Sequence, residues 1–487
     1  MTPTADDQSP VRSYDSNWIG GEWRAAALPN TPVESPHSGD IVAFVPDTSV
    51  DEIDLAIAAA RRAFDEGPWP RLAPIERAEV LSQVADSIIQ SASEFAHLLA
   101  VEAGIPVSGS ASISGAVRRL TYYAELAKTY QFEEVRPSSG GDILVVREPH
   151  GVVAAIVPWN APLGITLMKL APALLAGCTV ILKCSPEAPL ACFALGEIFR
   201  DCGLPSGVLN IVAGHAAAGD QLVRHGDVDK VSFTGSTVTG RIVGEICGQR
   251  LVPCTLELGG KSAAIVLDDA DPSRIVEPLV AAAMSNNGQA CVLQSRILLP
   301  RGRHNEFTDA LIDSVKKLRV GDPREPATQV GPLISEAHRD RVESHIRTAA
   351  TAGARVALGG GRPMNMHTGW YLEPTLLVNV DNRMAIAQEE VFGPVVTLIS
   401  YDDDDDAVAI ANDSAFGLSG TVWTNDDARG LEVARRVVTG STGVNRFGMD
   451  IGVPFGGVKA SGIGREQGPE GLDSYTRTKA IHLAGPQ

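Results

Sequence analysis

"VVAAIVPWNAPLGITLMKLAPALLAGCTVILKCSPE", residues 152–187, begins and ends on short apolar runs, "VVAAIV" and "TVILK", separated by the helical pattern "LGITLMKLAPALLAG". Strand, crossover helix and strand are the unit of a parallel sheet. The unit recurs: "VLNIV" at 208–212 and "VSF" at 231–233 continue the series, with "LACFALGEIFRDCG" as an intervening helix. Each run gives way to a polar or glycine-bearing loop, namely "PWN", "KCSPE", "AGH" and "TGST". In a doubly wound sheet those loops gather at the carboxyl edge, where ligands bind.

Downstream of about 261 a second alternating set follows, with strands expected near 263–267, 296–299, 371–378, 394–399 and 418–423, so a second α/β domain is predicted. The run "YDDDDDAVAIAN" reads as a helix start with acids at its positive end rather than a calcium site. Upstream, "DEIDLAIAAARRAFDE" places Ile53, Ile57, Ala60 and Phe64 on one face, and "IERAEVLSQVADSIIQSASEFAHLLAVEAG" reads as a second helix ending near Gly104. The N-terminal part is therefore expected to be largely helical.

The chain of 487 residues exceeds the roughly 250–300 that one core supports, so two large domains are expected. With 44% hydrophobic and 21% charged residues and a mean hydropathy of +0.04, the composition is that of a soluble globular protein. Against 41 basic side chains stand 59 acidic ones, a net charge of -18, which repels nucleic acid and anionic lipid. The start carries no basic and apolar leader, and no run of 18 apolar residues escapes Gly, Pro or charge, so neither export nor a membrane span is expected. Seven cysteines (178, 184, 192, 202, 247, 254 and 291) form no C-x-x-C pair, and no H-E-x-x-H occurs. A metal site and a disulfide framework are disfavoured, and a reducing cytoplasm fits.

Four features carry chemistry. "FTGSTVTG" joins a strand to a helix, and its free N–H groups with the Ser236 hydroxyl suit either a diphosphate or a plain capped turn. Glu257, framed by Leu256 and Leu258, is either a base of raised proton affinity or a surface glutamate. Cys291 sits in a glycine-bearing turn beyond a small-residue helix, which suits a cleft thiol. Asn160, in "PWN", could donate to an oxyanion or simply make a turn.

Six motifs together resemble the NAD(P)-dependent aldehyde dehydrogenase superfamily: "PWN" at 158, "FTGSTxxG" at 233, "ELGGK" at 257, "GQ-x-C-x-x-x-SR" around 291, "EEVFGPV" at 389 and "PFGGVKASGIGRE" at 454. They stand in the family's order over essentially the whole chain. The resemblance implies a Rossmann-like cofactor domain (1–126 with 150–260), a second α/β catalytic domain (261–469) and a small β oligomerisation segment (127–149 with 470–487), assembled as a homodimer or homotetramer. "EEVRPSSGGDILVVREPH" reads accordingly as a β-ribbon with a Gly-Gly turn.

The resemblance also implies roles. Cys291 would attack an aldehyde to give a thiohemiacetal, with the Asn160 amide and the Cys291 N–H as oxyanion donors; hydride transfer would leave a thioester, and Glu257 would activate the hydrolytic water. Lys169 and Glu466 resemble a proton-relay pair. For the cofactor it implies Lys183 and Glu390 at ribose hydroxyls, Ser236 at the diphosphate and Trp159 and Phe392 along the nicotinamide path, with Ile156, Gly214, Gly235 and Leu258 as further contacts. Many NAD-preferring members carry Glu three residues after the lysine matching Lys183; here Pro186 stands there and Glu187 beside it, so NAD is expected if Glu187 substitutes, and NADP otherwise. The substrate pocket implied is Ala161, Met168, Val292, Met449, Ile451 and Phe455, mostly small or apolar, which suits an uncharged aldehyde. Two other classes share part of this machinery. A cysteine acyltransferase or esterase would leave "TGST" and "EEVFGPV" idle, and a binding protein on the same scaffold would have no need of Cys291 and Glu257.

Overall fold

The computed structural model describes residues 11–108 and 113–484. The apolar runs become the fully or almost fully buried strands Val152–Ile156, Thr179–Cys184, Leu209–Ala213 and Lys230–Thr234, joined by Cys254–Glu257. They pair in parallel in the order Leu209–Ala213, Thr179–Cys184, Val152–Ile156, Lys230–Thr234, Cys254–Glu257. The chain builds outward in one direction from Val152–Ile156, then returns to its other side at Lys230–Thr234. That reversal opens a crevice between the loops after Ile156 and Thr234, where a doubly wound sheet takes its ligand. Buried helix Pro162–Ala176 spans the first crossover, with proline in its first turn and Gly177 closing it in the left-handed conformation. The sheet is extended antiparallel by Ser16–Ile19 and Glu22–Ala25 at one edge and by Gly462–Ile463 at the other.

A second sheet runs in the order Arg355–Leu358, Thr375–Val378, Val395–Tyr401, Arg296–Pro300, Ala263–Val266, Ser419–Trp423, Ser441–Val444, parallel except for its first pair. Consecutive strands Cys254–Glu257 and Ala263–Val266 belong to different sheets, so residues 258–262 carry the chain from one to the other. The acidic run begins helix Asp404–Asn412, capped by Asp403 through the Asp406 N–H. A three-stranded antiparallel sheet of Thr476–His482, Gly141–Pro149 and Glu133–Ser138 stands apart from both.

Several expectations are corrected. Residues 11–49 hold four strands, Ser16–Ile19, Glu22–Ala25, Thr31–Glu34 and Ile41–Val45, so the N-terminal part is not largely helical up to the start of helix Val50–Asp65. Strands of four or five residues give little alternation, although Gly20–Gly21, both left-handed, marked the first hairpin. The helix expected over 75–104 breaks at Ser91 into Pro74–Gln90 and Ala92–Ala103, and "LACFALGEIFRDCG" likewise divides at Ala194. The strand expected from 371 begins at Thr375, because Pro374 cannot donate to the ladder. The ribbon turns on Ser139–Gly140, with Ser138 paired to Gly141, rather than on Gly-Gly.

Candidate active site

Cys291 lies three residues beyond a backbone turn that few sequences can make. Helix Pro272–Met284 ends, and Asn286, Asn287 and Gly288 then take φ of 52°, 59° and 73° in succession. Asparagine and glycine are the residues that tolerate this region. Side-chain amides hold the turn: Asn286 Nδ2 donates to the Asn160 and Gln289 carbonyls at 2.8 and 3.0 Å, and Asn160 Nδ2 donates to Gln289 O at 2.8 Å. Asn287 donates to Gly104 O and Pro332 O and accepts from the Gly331 N–H, while Gln289 Oε1 accepts from the Ile334 N–H. On the opposite side Gly260 presses on the loop; a Cβ there would lie 2.2 Å from the Cys291 carbonyl. The structure thus brings Asn160 and the "ELGGK" crossing to the thiol. Burial, then Glu390 and Glu257, push the Cys291 thiol up from its ordinary value.

Glu257 ends its strand and is 2% exposed, and neither carboxylate oxygen has a hydrogen-bond partner. Burial, then the neighbouring Glu466, raise its proton affinity well above the ordinary carboxylate range against the opposing pull of Lys169 and Arg465. The surface reading is excluded. Lys169 Nζ, on helix Pro162–Ala176, donates to Glu466 Oε1 at 2.6 Å and to Ser232 Oγ at 3.0 Å, deep in the interior. Glu466 is placed by its antiparallel bridge to Phe455.

At the crevice, Ile156 ends the central strand and Trp159 meets Phe392 edge-on, with ring centroids 5.5 Å apart. Ser236 caps helix Thr237–Arg250 by accepting from the Thr239 N–H, and its exposed N-terminus is open to an anion. A Cβ at Gly235 would strike the Phe233 ring, Gly214 follows the strand Leu209–Ala213, and Leu258 packs under Gly240 of the capped helix. The Lys183 ammonium is nearly buried and, among the described residues, has no hydrogen-bonded acceptor; burial lowers its pKa while Cys184, Glu187 and Asp47 pull it back up. Pro186 is buried and Glu187 exposed, its carboxylate bonded to the Ser185 hydroxyl. Glu390 accepts from the Gly260 N–H at 2.8 Å and is pushed up to about 7, mainly by burial. An unpartnered cation, an acceptor of adjustable charge and a free helix N-terminus fit a dinucleotide.

Of the pocket residues, Ala161, Met168, Val292 and Phe455 share one apolar cluster with Cys291 and Trp159. Met449 is 50% exposed and Ile451 partly buried, both on the segment after strand Ser441–Val444 and outside that cluster. Leu418 and Phe447 also pack there and were not predicted. A further residue went unread: His338, whose ring completes a triangle with Trp159 and Phe392. A lone histidine on a helix gives no sequence signal.

A loop thiol beside an unsatisfied buried carboxylate, next to the crevice of a doubly wound sheet, defines an oxidoreductase that works through a covalent cysteine adduct. The profile described as the aldehyde dehydrogenase family matches residues 23–481. The chain is 44% identical over 472 residues to the geranial dehydrogenase of Castellaniella defragrans, covering 96% of this chain and 98% of the relative. A crystal structure of a Mycobacterium tuberculosis aldehyde dehydrogenase complexed with NAD+ superposes with a TM-score of 0.95 at 46% identity, covering 97% of this chain and 98% of that one. An aldehyde dehydrogenase from Pseudomonas syringae complexed with NAD+ and octanal gives 0.93 at 38% identity, covering 96% of each chain. The chain belongs to the aldehyde dehydrogenase family. It oxidises an aldehyde to the carboxylic acid with a nicotinamide cofactor, by way of a cysteine-bound thiohemiacetal and thioester.

Proposed function

We propose that Cys291 is the nucleophile and Glu257 the base of this reaction. The observation that carries the assignment is Glu257 itself: a buried carboxylate with both oxygens unbonded, in electrostatic contact with the Cys291 thiol in the loop before strand Arg296–Pro300. Glu257, in its ionised form, takes the thiol proton as sulfur bonds to the carbonyl carbon. The Asn160 amide has two protons; one is committed to Gln289 O, and the other, with the Cys291 N–H, receives the oxyanion. When bound, the nicotinamide supplies the hydride acceptor. Lys169 and Glu466, with Ser232, carry the thiol proton away, so that Glu257 is ionised again when it deprotonates the water that displaces the thiolate and releases the acid.

Lys183 and Glu390 hold ribose hydroxyls, and Ser236 and its helix N-terminus the diphosphate. Ile156, Gly214, Gly235, Leu258, Trp159 and Phe392 shape the channel. The preferred cofactor is NAD: exposed Glu187, close enough to act on Lys183, replaces the carboxylate that Pro186 cannot supply and repels a 2'-phosphate. The substrate is an uncharged aliphatic or aromatic aldehyde entering past Met449 and Ile451 to the wall of Ala161, Met168, Val292 and Phe455, a reading supported by geranial and octanal in the names of two similar proteins. The cofactor domain comprises 1–126 with 150–260, the catalytic domain 261–469, and the oligomerisation segment 127–149 with 470–487, in a homodimer or homotetramer. Exposed Val135 and Ile481 on the two outer strands of the small sheet support a partner subunit. Among the described residues no helix is long and apolar enough to cross a membrane. Free cysteines and the net charge of -18 favour a cytoplasmic protein without nucleic-acid partners.

The test is nicotinamide reduction with a medium-chain uncharged aldehyde, with NAD and NADP in separate assays, repeated with Cys291→Ala. Reduction of NAD by the parent and silence of the variant are expected; an active Ala variant would refute the assignment.

A further inference from the structure

We infer that His338 is a positioning residue: its neutral ring, protonated at Nε2, fixes the Phe392 turn against Trp159 and so sets the wall of the nicotinamide channel. The inference rests on the cofactor reading above. Phe392 has φ of 59°, a left-handed conformation that is strained for a bulky residue and persists only where its surroundings impose it. The imposing contact is at its carbonyl, 2.7 Å from His338 Nε2. A carbonyl only accepts, so Nε2 carries the proton; Arg341 Nη2 lies 2.7 Å from Nδ1 and only donates, so Nδ1 is bare. These two partners determine both the tautomer and the ring plane. The ring packs edge-on to Trp159 at 5.6 Å and to Phe392 at 6.3 Å, completing a triangle that joins the helix Glu336–Thr351 to the loops after Ile156 and Gln388. Burial, with Arg341 and His345 nearby, lowers the ring's pKa to about 4 and favours its neutral form, although the Phe392 carbonyl opposes them.

The turn also reaches the thiol. Gly288 lies so close to Gly393 and Pro394 that a Cβ there would stand 2.1 Å from the Gly393 carbonyl carbon. Moving Phe392 therefore moves the strand of chain on which the Cys291 loop rests. The segment just before the His338 helix grips that loop as well, through Gly331, Pro332 and Ile334.

The test compares His338→Gln, which keeps one donor and one acceptor, with His338→Met, which keeps volume and has no N–H. Loss of the carbonyl contact should raise KM for NAD about tenfold in the Met variant, with a smaller change in kcat and in KM for the aldehyde, and Gln should restore KM to within about twofold. A Met variant whose KM for NAD stays within about twofold of the parent, or a Gln variant as impaired as Met, overturns the inference. If Met does not fold, 15N-histidine NMR of the parent decides, with His338 assigned from the Gln variant. A ring protonated at Nε2 alone from pH 6 to 9 is expected, and a charged or Nδ1-protonated ring refutes it. The parent's own NAD reduction and the Cys291→Ala result decide the cofactor reading separately, and the tautomer is read without turnover.

Discussion

As the proposed base, Glu257 concentrates the chemistry and also its cost. Because burial raises its folded pKa above the ordinary 4.5, the folded chain keeps a proton that the unfolded chain releases. The stability contributed by the protonated form is present below 4.5 and is lost as pH rises towards the raised value. Gln does not titrate, so the thermal midpoint of Glu257→Gln should gain on the parent's as pH rises above 4.5. The same variant should slow adduct formation as well as thioester hydrolysis: a burst of reduced nicotinamide slower than the parent's, followed by a steady rate about 100-fold below it. Stopped-flow absorbance measures both. The sequence made Cys291 legible because Asn-Asn-Gly before it encodes the left-handed turn that the structure contains. Glu257 remained open until its burial was seen, since a glutamate between two leucines is compatible with either face of a strand. His338 was illegible, because its partners Trp159 and Phe392 lie 179 and 54 residues away, and nothing local to the helix records them.

At the scale of elements, the Lys169–Glu466 pair ties the crossover helix Pro162–Ala176 to the segment that adds Gly462–Ile463 to the sheet edge. Both side chains are at most 1% exposed, so removing one partner strands the other. Lys169→Met should cost about 3 to 5 kcal/mol, and adding Glu466→Gln should recover much of it, as measured by denaturant unfolding of the single and double variants. Equal loss in both would show that the ion pair is not the tie. The alternation of the parallel strands was readable because buried strands leave unbroken apolar runs between helical patterns. The strands before residue 46 were not, because each is too short for a period to declare itself and their partners are mutual or, for Ser16–Ile19, the distant strand Leu209–Ala213.

In the whole molecule, the strand Thr476–His482 covers one side of Gly141–Pro149, and Glu133–Ser138 the other, leaving two open edges. Open edges recruit further strands. Deleting residues from 476 onward should therefore lower the mass observed by analytical ultracentrifugation, with nicotinamide reduction impaired to the extent that assembly supports it; an unchanged mass would place the subunit contact elsewhere. The two-sheet division followed from length and repeat, and a second alternating set was expected from about 261, within the crossing at 258–262 that the strand order shows.

That closing order has a consequence during synthesis. Cys291 and its turn emerge from the ribosome some 175 residues before Glu466, the residue whose charge acts on Glu257 and whose backbone aligns Phe455. A nascent chain halted in that interval already holds the proposed nucleophile, yet lacks the edge strand Gly462–Ile463, the counter-charge of Lys169 and the proposed pocket wall at Phe455. The proposed nucleophile is therefore translated long before the surroundings proposed for its chemistry, which are complete only once residue 466 has been added.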